Sequence, residues 1–178
     1  MRAPEEKILV AGPVGKIDVI MERPDAPKGI ALIAHPHPLG GGANTNKVAY
    51  TLARTFVGLG YAAFRPNFRG VGGSTGTHDE GRGEALDLQV DVAAHRVADR
   101  PLALGGFSFG AYVTTLAAQA LAAAGEGAER LLLVGPSTQR ATPAPVPADT
   151  LVIHGESDDV VPLRAPLAWA RPPHLAVT

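Results

Sequence analysis

The stretch from Leu102 to Ala124 constrains this chain most. A short apolar run, L-A-L-G-G-F, passes through Ser108 straight into A-Y-V-T-T-L-A-A-Q-A-L. A run of that length, apolar throughout, suits a strand buried on both faces. The segment from Ala111 to Ala124 has helical spacing, with Val113, Leu116, Ala117, Ala120 and Leu121 expected inward and Gly125 placed to end it. A strand feeding a helix with no intervening loop demands a sharp turn at Ser108. Gly106 and Gly110 flank it, as they must if a Cβ at either position would collide with the neighbouring strand or helix.

The same alternation runs through the rest of the chain. Lys16 to Glu22, Gly29 to Ala34, Tyr61 to Phe64, Leu131 to Val134 and Leu151 to His154 read as strands, and His174 to Thr178 begins one more. Between them, Val48, Leu52, Phe56 and Leu59 recur at helical spacing up to Gly60. Leu86, Val90, Ala93 and Val97 are expected on the inner face of another helix, with Asp87 and Asp91 on its outer face. Strands alternating with helices imply right-handed crossovers and an α/β fold: one domain, residues 1–178, with a mostly parallel central sheet and helices on both faces. In such sheets ligands bind beyond the carboxyl ends of the strands. Every candidate catalytic residue should therefore follow a strand.

Two segments match G-x-S-x-G, Gly72 to Gly76 and Gly106 to Gly110. With four Ser and 21 Gly in 178 residues, chance supplies about 0.06 such matches, so the pattern is informative but does not choose between the two. Context chooses. A nucleophile elbow needs a buried strand before it and a helix after it, and Ser108 has both. Ser74 is followed by T-G-T-H-D-E-G and reads as a loop residue.

A serine hydroxyl is a poor nucleophile near neutral pH and needs a general base, which in turn needs a carboxylate to orient it. H-G-E-S-D-D-V-V-P leaves a strand at its carboxyl end, with Asp158 the first choice for that carboxylate and Asp159 the second. The competing reading is an Asp pair that caps a helix. An oxyanion hole needs two backbone N–H groups, one from Phe109 and one from the loop H-P-H-P-L-G. Pro36 and Pro38 have none, which leaves His37 first and Leu39 second. His35 and His37 could equally be polar residues packed near the loop. As metal ligands they form an incomplete set, so no metal is expected.

Composition narrows the function further. Sixteen Lys and Arg against 17 Asp and Glu give a net charge of −1, without the basic field that nucleic acid requires. The absence of Cys removes thiolate catalysis and disulfides. Neither Gly40 to Gly42 nor Gly70 to Gly72 completes a phosphate-loop or dinucleotide fingerprint, so no nucleotide cofactor is expected. Met1 to Val10 is charged where a signal peptide is apolar, and no run of about 20 apolar residues occurs, so the expectation is a cytoplasmic protein off the membrane. Arg69 is expected in an exposed loop ion pair with Asp79, Glu80 or Glu84, contributing little.

With H-P-H-P-L-G-G-G, R-P-N-F-R-G-V-G-G-S-T-G, G-F-S-F-G and H-G-E-S-D-D-V-V-P in that order, the chain from Lys16 to Thr178 resembles the α/β-hydrolase superfamily. It is similar to small cap-less members related to the dienelactone hydrolase and prolyl-oligopeptidase-like groups. The resemblance implies Ser108 as nucleophile, Asp158 as triad acid, the main chains of His37 and Phe109 as oxyanion hole, and no cofactor. It implies a serine hydrolase, carboxylesterase-like, acting on an ester or related acyl bond of a small substrate through an acyl-enzyme. A non-catalytic binding protein of the same fold and an acyltransferase are the alternatives, and the oligomeric state is left open.

The resemblance also exposes a gap. The superfamily orders its triad Ser, Asp, His, with the His after the last strand. The one His following Asp158 is His174, which precedes its strand, and five residues of strand put it roughly 16 Å from the carboxyl edge. The expectation is a fold incomplete at its carboxyl end, with the catalytic His beyond Thr178. Only about 16 residues separate the strands ending at Val134 and starting at Leu151, too few for a lid. A shallow, open site for small or flexible acyl groups follows.

Overall fold

The computed structural model describes residues 3–138, 141–170 and 176–177. Its strands form one sheet in the order β1-β2-β4-β3-β5-β6-β7-β8. β1 (Glu5–Gly12), β2 (Gly15–Glu22) and β4 (Tyr61–Pro66) are joined antiparallel. β3 (Gly29–Ala34), β5 (Leu102–Phe107), β6 (Arg130–Val134), β7 (Leu151–Ile153) and the two-residue β8 (Ala176–Val177) complete a parallel run. The mostly parallel α/β architecture expected from the sequence is the one observed.

Side-chain alternation explains why the central strands are almost wholly apolar, Arg65 in β4 being the charged exception. In β3, Ile30, Leu32 and Ala34 enter one core while Ala31 and Ile33 enter the other; in β4, Ala62 and Phe64 oppose Tyr61 and Ala63. On the first face the sheet meets α2 (Arg82–His95) and α3 (Phe109–Ala123). On the second it meets α1 (Lys47–Gly58), whose Ala49, Leu52, Ala53 and Phe56 are buried. Asn46 caps α1 by accepting the N–H groups of Val48 and Ala49. The short α4 (Arg164–Ala170) follows β7.

Two expectations are corrected here. α2 presents a different face from the one its apolar residues predict: Leu86 and Val97 are exposed, whereas Asp87 and Asp91 are buried beside Ala85, Leu88 and Val92. The carboxylates go inward because each has a partner. Arg69 grips Asp87 with two bonds, Nε to Oδ2 at 2.6 Å and Nη2 to Oδ1 at 3.0 Å, and His95 Nε2 lies 3.1 Å from Asp91 Oδ1. Arg69 accordingly pairs with Asp87 and not with Asp79, Glu80 or Glu84, and the pair is largely buried instead of exposed. Burial pushes the Asp87 carboxyl up while the guanidinium draws it back, and the hydrogen bonds Arg69 donates to Asp87 raise the guanidinium above its usual range.

β1 escaped the sequence reading. Ile8 and Val10 are half-buried against the core with Leu9 exposed between them, but in the sequence the charged Glu5-Glu6-Lys7 and the unbroken apolar run I-L-V-A hide that alternation.

Candidate active site

Ser108 stands between β5 and α3 with φ +55° and ψ −116°, a region that residues with a Cβ rarely occupy. Three backbone bonds hold it there. Its N–H donates to the Val134 carbonyl (2.9 Å), and its carbonyl accepts from Tyr112 (3.2 Å) and Ser137 (3.2 Å). The flanking glycines are sterically required: a Cβ on Gly106 would sit 2.5 Å from the Gly110 carbonyl oxygen, and one on Gly110 would run into the carbonyls of Ala34 and His35. The turn can form only because the strand, the helix and the end of β3 approach this closely. Among the described residues the Ser108 hydroxyl makes no hydrogen bond, although its backbone is fully engaged.

A cavity of about 420 Å³ opens at the carboxyl ends of the strands, lined by His37, Leu39, Gly40, Ser108, Phe109, Ser137, Val160 and Val161. A smaller recess of about 160 Å³ adjoins it, sharing His37, Leu39, Phe109 and Ser137 and adding His78, Glu80, Tyr112 and Ala141. The loop after β3 enters both. Its His37 carbonyl accepts the N–H groups of Gly40 (3.1 Å) and Gly42 (3.0 Å), tightening the turn at Pro38–Gly40, and the His37 ring packs 4.6 Å from that of Phe109. Phe109 opens α3, where the first backbone N–H groups of a helix have no intrahelical acceptor. Ser108, His37, Leu39 and Phe109 are thus brought to one cavity.

Asp158 lies alongside. Its Oδ1 accepts the N–H groups of Val160 (2.9 Å) and Val161 (2.8 Å), so it organises the turn that supplies two cavity-lining residues. Its Oδ2 passes over the end of β6, 3.9 Å from where a Cβ on Gly135 would be. The capping alternative is realised in part, since this carboxylate does close a turn, but α4 begins only at Arg164. Asp159 is exposed and makes no hydrogen bond among the described residues. His174 lies outside the described residues.

The remaining histidines have other attachments. His35 is fully buried: its Nε2 accepts the Phe68 N–H (3.0 Å), which places the proton on Nδ1, donated to the Pro36 carbonyl at 2.7 Å. Burial lowers its pKa to about 4, against a smaller upward pull from the Pro36 bond, so it is a neutral clamp between β3 and the loop after β4. His154 donates from Nε2 to the Val161 carbonyl (2.6 Å), with Asp158 Oδ2 4.0 Å away. His78 sits 3.0 Å from Glu84, whose oxygens also accept the N–H groups of Asp79 and Gly81. His78, Tyr112 and Ser137 escaped the sequence reading; T-H-D-E-G gave only a polar loop. Ser74 is structural, its hydroxyl bridging the Asp18 N–H and the Asn67 carbonyl.

Comparison with known proteins gives the arrangement its relatives. An α/β serine hydrolase without a lid from Xanthomonas campestris is 33% identical, with a TM-score of 0.88 over all of this chain and 84% of its own. An α/β serine hydrolase homologue from Coxiella burnetii is 34% identical, with a TM-score of 0.80 over 97% of this chain and 86% of its own. An uncharacterized protein of Rickettsia prowazekii is 34% identical over 166 residues, 87% of this chain and 68% of its own length. No family-wide sequence profile matches the chain.

Proposed function

The chain belongs to the α/β-hydrolase superfamily, and from that premise we propose that it is a serine hydrolase cleaving an ester or related acyl bond of a small substrate. The observation that carries the proposal is Ser108, held at φ +55° between β5 and α3 with its residue on the wall of an open cavity at the carboxyl edge of the sheet. In this reading Ser108 Oγ forms a bond to the acyl carbon and passes its proton to the base. The carbonyl oxygen takes the negative charge, facing the main-chain N–H groups of Phe109 and His37. The intermediate collapses, the leaving group departs with the proton, and water releases the acyl group from Ser108 by the same steps in reverse order.

Asp158 is the carboxylate assigned to orient the base, since its Oδ1 is fixed by two amides and its Oδ2 lies at the end of β6 next to the Ser108 turn. The base in this reading is a histidine. His35 and His154 both spend a ring nitrogen on a backbone carbonyl and are buried, which unsuits them to shuttle a proton to Ser108. The proximity of the two cavities favours an acyl or alkoxy group that is compact on one side and flexible on the other. Hydrolysis of short-chain aryl esters by the full-length gene product tests this: activity lost by at least a hundredfold in Ser108→Ala supports it. Equal activity in the variant contradicts it.

A further inference from the structure

The opposite edge of the sheet carries a further cavity that the hydrolase chemistry does not use. It measures about 260 Å³ and lies at the amino ends of β3 and β5, reached by Gly29, Ile30 and Pro101, and is walled by the end of α2. Its floor is apolar, with Met21, Ile30, Ala62 and Phe64, while Arg23, His95, Arg96 and Arg100 line it with positive or ionisable groups. No carboxylate lines it among the described residues.

Two of the guanidinium groups are held in place and keep capacity to bind. Arg96 spends Nη1 on the Glu126 carbonyl (2.6 Å) and Arg100 spends Nη1 on the Pro27 carbonyl (2.6 Å), which leaves each guanidinium further N–H donors. Arg23 is exposed. The His95 ring is fixed on both sides, stacked on Phe64 (4.1 Å between centroids) and 3.1 Å from Asp91. Asp91 is fully buried at the edge of that ring, and burial raises its carboxyl pKa against the pull of His95.

We propose that this cavity binds a small organic carboxylate, an apolar body seated on Phe64 and Ile30 with its charged end between Arg23, Arg96 and Arg100. The size suits a ligand smaller than the usual drug-sized one. Guanidinium groups suit a carboxylate because their planar forks match its two oxygens. The proposal is independent of the role of Ser108.

Titration of the full-length protein with 3-phenylpropionate, followed by amide chemical shifts, tests it. The expected result is saturable binding with shifts in the first residues of β3 and the last of α2. The neutral 3-phenylpropanamide should bind at least about tenfold more weakly, and so should 3-phenylpropionate to an Arg23→Gln, Arg100→Gln double variant with a native amide spectrum. Should the double variant lose its fold, Arg23→Gln alone, at an exposed position, is read in its place. Equal affinity for acid and amide, shifts confined to the Ser108 end, or no saturation by about 10 mM each overturn the proposal.

Discussion

The N–H of Ser108 donates to the carbonyl oxygen of Val134 at 2.9 Å, so the turn that presents the serine continues the hydrogen-bond ladder between β5 and β6. The residue is fixed by the sheet itself. Its unusual backbone geometry is imposed by packing and not by the preference of serine.

That imposed geometry predicts an inversion at Gly110. In an ordinary helix, Gly to Ala stabilises by about 1 kcal/mol. Here the new methyl would run into the backbone carbonyls of Ala34 and His35, which cannot move without disturbing β3. We expect Gly110→Ala to destabilise by about 3 kcal/mol, read as a lower urea midpoint with an unchanged slope. A stability equal to or above the parent contradicts the close approach.

Ser108→Gly should act in the opposite direction. Glycine adopts φ +55° without the strain a Cβ brings, and the Ser108 hydroxyl contributes no hydrogen bond among the described residues. The variant is expected to gain about 1 kcal/mol in stability while losing reactivity toward acyl substrates. Loss of stability would mean that the serine side chain supports the fold.

His35 predicts a pH dependence. Its folded pKa is depressed to about 4 from 6.5, so the unfolded chain takes up a proton that the folded one refuses between those values. This contribution to stability is complete above pH 6.5, declines as pH falls toward 4 and is lost below it, by up to about 3 kcal/mol. Asp91, raised by burial, acts with the opposite sign near and above its ordinary value. The readout is therefore the difference between the parent and His35→Gln in denaturation between pH 7 and pH 4: the parent should lose more stability than the variant. Parallel curves contradict a neutral, buried His35.

The sheet and the serine turn were legible because period and local chemistry carry them. The run G-I-A-L-I-A marks a strand buried on both faces, and G-F-S-F-G between strand and helix admits few other shapes. α2 misled because its buried carboxylates are balanced by Arg69 from the loop after β4 and by His95 one turn along, a tertiary fact that a helical wheel does not contain. β1 was missed because its inward residues, Ile8 and Val10, are only half-buried and the apolar run I-L-V-A does not show their alternation. His78 meets His37 and Phe109 only in three dimensions, so its part in the cavity had no sequence signal, whereas Tyr112 sits one helical turn after Phe109 on α3.

Whether Ser108 is an activated nucleophile decides what this site does. The measurement is covalent labelling of the full-length gene product with a fluorophosphonate, read by intact mass and peptide mapping. One adduct on the peptide bearing Ser108, absent in Ser108→Ala, is the predicted result. An unlabelled native protein, or an adduct at any other residue that persists in Ser108→Ala, contradicts the reading and leaves a binding protein on a hydrolase fold.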